Sequence, residues 1–385
     1  MPDIQGTFEP RYEPLVELFR EQSKSQPAGG AALSVFKDGK AVVNVWQGQA
    51  TPAKAWSPET ISVMFSCTKG VISILANRLM QLGQLDPEEK IAHYWPEFAQ
   101  AGKENIPVKW ALQHKAGLSA VRRDLTLEEL VDGHTVLDEL AAQEPLWTPG
   151  TAHGYHAMTF GHLAARIMKG ATGKNVNELL HEHITGPLGV KLFVGLPESE
   201  LVNLAPLLTD GKRASTNPQP NTDAYWVEKA MTFGGAMSAE VAGDNTGFND
   251  PRVLAAELAG ANGVTSAHAL AKTYSATVTE TDGVRLLNDE TIERATRVAS
   301  EGPVIWNEPG PWPKWGMGFM LDVPGSREYT SAKGFGHDGL GGQAGFADPV
   351  HKIGFGYITN YLNSGPNEQK NQHDLIGVLK AILNS

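Results

Sequence analysis

Ser66 and Lys69 stand three residues apart in FSCTKGVISILANRLMQLG, the stretch from Phe65 to Gly83. A hydroxyl and an amine at that spacing on a helix lie on one face, within reach of each other. The chemistry this allows is nucleophilic: the serine attacks a carbonyl while a neutral amine takes its proton. The competing reading is structural, because a serine at a helix start is ordinarily an N-cap and Ser-x-x-Lys has many chance matches. Three features favour the chemical reading. The preceding run, ISVMF, is apolar, which puts Ser66 near the core. The following helix carries Val71, Ile72, Ile74, Leu75, Leu79 and Met80 on most of its faces, the pattern of a buried helix. A lysine in the first turn opposes the helix dipole, and a desolvated amine loses affinity for its proton. The same dipole favours negative charge developing at the serine.

Two further stretches could carry chemistry. In PLWTPGTAHGYHAMTFGHLAARIMKGATG, Tyr155 precedes a helix after a Pro149-Gly150 turn. Alone it reads as a core tyrosine with a satisfied hydroxyl. In GFGHDGLGGQAGFADP, glycines flank His337, Asp338 and Gly339. Such density lets backbone approach a ligand closely, although a glycine-rich strand edge would look the same. His153, His156, His162, His181 and His183 match no common zinc spacing, so no metal is expected. There is no G-x-S-x-G nucleophile elbow. The single cysteine, Cys67, reads as a buried spectator beside the serine rather than a reactive thiol. Trp226, Trp306, Trp312 and Trp315 fall in loop-like segments; core packing accounts for one or two, and the others are expected to wall an apolar pocket.

The elements that must position these residues are legible in outline. YEPLVELFREQSK has helical spacing, and two β-type runs flank Asp38-Gly39, a strong hairpin signal. From the Ser66 helix to about residue 270 the pattern is mainly helical, with LTLEELVDGHTVLDELAAQ, TFGHLAARIMKGATG and NVNELLHEHITGPLGV as periodic segments, the last closed by Gly186-Pro187. LTDGKRASTNPQPNTDAYW reads as a long surface loop. Strands return in WGMGFMLDV and in a hairpin turning at Asp348-Pro349, and QHDLIGVLKAILN closes the chain as a helix. Strands at both ends with helices between predict an α+β architecture: an antiparallel sheet domain from residues 1–75 and 270–385, and a mainly helical domain at 76–269, with the active site between them.

With 41% apolar and 19% charged residues and a net charge of −11, the composition is that of a soluble globular protein. That charge argues against nucleic acid and against an anionic membrane, both of which need clustered lysine and arginine. No apolar run is long enough to span a bilayer. The N-terminal stretch has no basic start followed by an apolar segment, and a lone cysteine permits no internal disulfide, so a cytoplasmic protein is expected.

Together, the three stretches resemble the serine β-lactamase and penicillin-binding-protein superfamily, and within it the class C-like carboxylesterases called family VIII esterases. The resemblance runs from about residue 30 to 360. SCTKG with LMQLGQLDPEEKIAHYWPEF is similar to the first motif and its sequel, ALQHKAGL to a turn that follows, PGTAHGYHAMTFGHLAARIMKGATG to the tyrosine motif, and GFGHDGLGGQAGFADP to the esterase form of the third. It implies a β-lactamase/transpeptidase-like fold. It also implies that Ser66 is acylated and that Lys69 and Tyr155 transfer protons. His337, Asp338 and Gly339 then stand where β-lactamases carry Lys-Thr/Ser-Gly, and the N–H groups of Ser66 and Leu340 form an oxyanion hole. Two departures, Ala157 where class C β-lactamases have Asn and His337 in place of lysine, point away from β-lactam and peptidoglycan substrates. The expectation is a serine carboxylesterase with no cofactor, acting on a small-molecule ester, with no nucleic-acid or membrane partner and a homo-oligomer left open. The alternatives are a β-lactamase, D-alanyl carboxypeptidase or amidase on the same machinery, and a non-catalytic binder that keeps the fold.

Overall fold

The hairpin signal at Asp38-Gly39 becomes two long strands, β2 (Gly30–Lys37) and β3 (Lys40–Thr51). Both turn residues take left-handed φ, 51° and 79°, which matches the twist of the strands they join. The computed structural model describes residues 4–209, 218–237, 240–365 and 368–385. Around the hairpin assemble β1 (Gln5–Phe8), β4 (Lys54–Ala55), β5 (Met320–Leu321), β6 (Phe335–Asp338), β7 (Ala344–Asp348) and β8 (Ile353–Thr359). They form an eight-stranded sheet in the order β1-β3-β2-β8-β7-β6-β5, with β4 beside β3. All its pairings are antiparallel. Its strands come from both ends of the chain, as the sequence pattern predicts.

Alternation along β8 explains how the sheet is covered. Ile353, Phe355 and Tyr357 point to one face, where they join Leu15, Val16 and Phe19 of α1 (Glu13–Ser25) and Leu375 and Leu379 of the closing helix, Lys370–Asn384. Gly354 and Gly356 point to the other face, against the helix Ala267–Val278. A Cβ on either glycine would stand 2.3 Å from a carbonyl oxygen of that helix, Ala271 or Ala267. The helix can therefore lie flat on the sheet only where β8 has no side chains.

Beside that helix, on the same face of the sheet, lies the helix that follows Ser66, α2 (Cys67–Gln81), in which every residue except Arg78 and Gln81 is buried. It runs between β6 and α3 (Thr159–Thr172), the helix after Tyr155. A small sheet of Ser62–Val63, Gly263–Thr265 and Leu192–Val194 fixes the chain just before Ser66.

Several boundaries depart from the sequence pattern. The 125–143 segment divides into Leu127–Val131 and Thr135–Ala142, with Gly133 at φ 79° between them. Gly186-Pro187 does not close its helix: a π-helical stretch, His181–Thr185, leads into a last turn, Gly186–Leu188, and Gly189 (φ 62°) ends it. Proline is tolerated there because the first residues of a turn need no N–H. Of WGMGFMLDV only Met320–Leu321 forms strand, since Gly318 turns at φ 86°. The long loop expected at 208–226 lies partly outside the described residues, at 210–217. Its end is helical: Thr222 accepts from the Tyr225 N–H and caps α4 (Asp223–Thr232).

Candidate active site

The site is built on the entry to α2. Phe65, immediately before Ser66, is held at φ 45°, a left-handed conformation that costs a side-chain-bearing residue roughly 1–2 kcal/mol. Its ring is buried and packs edge-on against Phe248, centroids 4.8 Å apart. This tight bend presents Ser66 at the mouth of α2. Ser66 makes no side-chain cap, so its hydroxyl is left to side-chain partners.

The structure brings Lys69 and Tyr155 to that hydroxyl. Lys69 Nζ lies 3.1 Å from Ser66 Oγ, and the Tyr155 hydroxyl donates to the same oxygen at 2.9 Å. Lys69 has no exposed surface, and burial pushes its amine down to about 7. The nitrogen also donates to the Gly260 carbonyl at 2.6 Å, so it is oriented without an anion that would keep it charged. Burial drives the Tyr155 phenol in the opposite direction, well above its ordinary range. Ser66 Oγ thus faces an amine that can be neutral near pH 7 and a hydroxyl that keeps its proton.

The third stretch approaches from β6. Gly339 N–H donates to Gln343 O at 2.8 Å, and a Cβ on Gly339 would stand 2.4 Å from Met64 O. Only glycine lets this strand end lie against the segment leading to Ser66, which brings Leu340 beside the serine on the cleft wall. Leu340 opens a 3-10 turn and Ser66 precedes the first turn of α2. Amide N–H groups at such positions have no intrahelical partner.

His337 and Asp338 do not line the cleft. Successive strand side chains alternate, so Asp338 turns away and pairs with the buried Arg327 guanidinium. His337, 2% exposed, lies behind Tyr155 with ring centroids 6.2 Å apart. Its Nδ1–H donates to the Asp338 carbonyl at 2.7 Å, and burial holds the imidazole well below its ordinary pKa, hence neutral. Cys67 is buried, its thiol donates to His337 O at 3.2 Å, and burial raises its pKa. The thiol therefore stays protonated. Of the histidines weighed as ligands, His156 is spent within the backbone, accepting from Leu118 N–H and donating to Gly154 O. Among the described residues no group of three His, Cys, Asp or Glu could hold a metal ion. Trp315 is core, stacked on Tyr155 at 5.5 Å and 10°, and Trp306 lines the cleft with Trp226 stacked on it at 6.3 Å.

The cleft has a volume of about 1140 Å³. Phe65, Ala157, Met158, Val241, Phe248 and Ala261 give it an apolar lining, and α4 supplies one wall. The Gly260 carbonyl and the Phe65 backbone bend are the functional features that sequence reasoning misses. A carbonyl leaves no residue-type signal, and a left-handed phenylalanine is invisible in composition.

The profile of the Beta-lactamase family matches residues 15–379. The chain belongs to this family. The esterase/beta-lactamase LipL of Mycobacterium tuberculosis is 33% identical over 374 residues, covering 94% of this chain and 84% of the relative. Two solved structures match at 30% identity and TM-score 0.85. One is a family VIII carboxylesterase, covering 98% of this chain and 100% of the other; the second is a penicillin-binding protein homolog from Caulobacter crescentus, covering 99% and 100%. No helix among the described residues is long and apolar enough to cross a membrane.

Proposed function

We propose that this protein is a serine carboxylesterase that cleaves small to medium esters through an acyl-enzyme on Ser66. One observation carries the reading: Ser66 Oγ lies 3.1 Å from the fully buried Lys69 amine and 2.9 Å from a tyrosine hydroxyl, at the wall of an apolar cleft.

In the first half-reaction Ser66 Oγ adds to the ester carbonyl carbon and its proton passes to neutral Lys69. The oxyanion is met by the N–H groups of Ser66 and Leu340, donors that are typically worth roughly 2.7–4 kcal/mol each. Collapse breaks the C–O bond of the leaving alcohol, which departs with the proton relayed from the Lys69 ammonium through the Tyr155 hydroxyl. Water then adds to the acyl carbon, gives its proton to Lys69, and Ser66 is expelled and reprotonated. An alkoxide needs less help to leave than an amide anion, and the residues around the trio suit that lesser demand. Ala157 offers no side-chain amide, and the neutral, buried His337 offers no cation.

The test is direct. A fluorophosphonate probe followed by peptide mass spectrometry should give one adduct, on the peptide containing Ser66. Ser66→Ala should lose p-nitrophenyl ester turnover while unfolding at the wild-type temperature. Turnover surviving in Ser66→Ala, or an adduct elsewhere, sinks the reading.

A further inference from the structure

Tyr155 sits in a stretch, residues 152–156, that is neither helix nor strand, so no regular ladder aims its hydroxyl. What holds it is His114. The Gly154 N–H donates to the His114 carbonyl at 3.1 Å, and the His156 N–H donates to His114 Nδ1, also at 3.1 Å. These bonds fall on the residues immediately before and after Tyr155. Between them the His114 ring meets the Tyr155 ring at 5.3 Å and 60°, while Trp315 stacks on Tyr155 and touches His114 at 4.2 Å.

Everything about His114 is arranged to keep that acceptor in place. Its backbone is left-handed, φ 59°, which lets one residue turn both its carbonyl and its side chain toward the same strand of chain. It is fully buried, and burial holds the imidazole well below its ordinary pKa. A charged ring would protonate Nδ1 and repel the His156 N–H. With Nδ1 accepting, the proton sits on Nε2, which meets no acceptor among the described residues. An apolar side chain here would avoid that cost.

We infer that His114 is a positioning residue for the proton-transfer step: by clamping both neighbours of Tyr155 it fixes the phenol oxygen against Ser66 Oγ. The inference rests on the reading of Tyr155 given above. His114 is not among the residues lining the cleft, and its bonds run to the neighbours of Tyr155, so its effect must pass through Tyr155.

Two substitutions separate this role from general stability. His114→Asn keeps an acceptor near Nδ1 and suits left-handed backbone. His114→Leu fills the space without an acceptor. Because a 1 Å misplacement can cost about 10²-fold in rate, His114→Leu should lower the acylation rate with p-nitrophenyl butyrate by about that factor. KM should stay within about twofold of wild type, and the midpoint of the pH profile should be unchanged, since binding and the Lys69 base are untouched. His114→Asn should recover most of the rate. In a Tyr155→Phe background His114→Leu should cost less than about threefold more, because effects of residues acting as a unit are not additive. If His114→Leu does not fold by circular dichroism, His114→Gly replaces it. Glycine meets the backbone without strain and lacks the acceptor, and the same loss is expected. Wild-type kcat in the folded variant overturns the proposal, as does an equal loss with and without Tyr155. Wild-type kcat in Tyr155→Phe itself overturns the reading beneath it, a separate and recognisable failure.

Discussion

Lys69 carries no exposed surface, and its nitrogen is held by Gly260 O and Ser66 Oγ. Burial lowers its pKa because the charged form loses solvation that two neutral acceptors do not fully replace. The base must be neutral to act, so kcat/KM should rise with pH and level off above the folded pKa of about 7. An unperturbed lysine would put that limb at about 10.4. The Tyr155 phenol is raised by burial and stays protonated across this range, so no descending limb from it should interrupt the plateau. A pH–rate profile for p-nitrophenyl butyrate from mildly acidic to mildly alkaline buffers reads both. A limb still climbing well above neutrality would remove Lys69 as the base. At this scale the sequence says much about side chains close in the chain and little about the rest. Ser66 and Lys69 are legible because a helix fixes their relation. The Gly260 carbonyl reaches Lys69 across 191 positions, and nothing in the residue type at 260 announces an acceptor. Tyr155 is legible only through its resemblance to a known motif.

β8 and the Ala267–Val278 helix show what elements add. The Gly354–Phe355–Gly356 alternation reads from sequence as a strand, and it also encodes the contact, because the glycine face is where the helix sits. Gly354→Ala would place a Cβ 2.3 Å from Ala271 O and from Ser275 N, backbone atoms of a packed helix that cannot swing aside. Overpacking of this kind typically costs about 1–3 kcal/mol. Thermal or urea unfolding of Gly354→Ala should show that loss. An unchanged melting temperature would mean that the helix is not pinned to the sheet as described. Hairpins and terminal helices were predictable because turn residues and apolar periodicity are local signals. Helix ends between residues 125 and 190 were not, because there the outcome depends on tertiary contacts. Gly186-Pro187 looks like a stop, yet the chain carries the turn through to Gly189 with a π-helical stretch before it.

At the scale of the whole molecule, one fold serves several chemistries, and the site must decide among them. The cleft's charges bear on that decision. Among its described lining residues Asp124, Asp223, Glu228 and Glu308 are acidic and Lys229 is the one cation. The Lys229 amine is already committed to Asp124 at 2.5 Å and to the Tyr225 hydroxyl at 3.0 Å. A β-lactam brings a carboxylate that needs a free cation, and an amide arm that needs a polar partner. Ala157 instead joins an apolar cluster with Ala120 and Ala230, and His337 is neutral and buried behind Tyr155. A small ester makes neither demand. The proposed oxyanion donors, being backbone, would serve both substrates alike, so the discrimination has to come from these missing polar contacts and from the easier departure of an alkoxide. We expect kcat/KM for p-nitrophenyl acetate or butyrate to exceed that for a chromogenic cephalosporin by at least about a thousandfold, a gap of about 4 kcal/mol in transition-state binding. Steady-state kinetics of the two substrates on one preparation measures the ratio. Comparable efficiencies would show that the cleft recruits a cation for the carboxylate after all, and would move the assignment from esterase to β-lactamase.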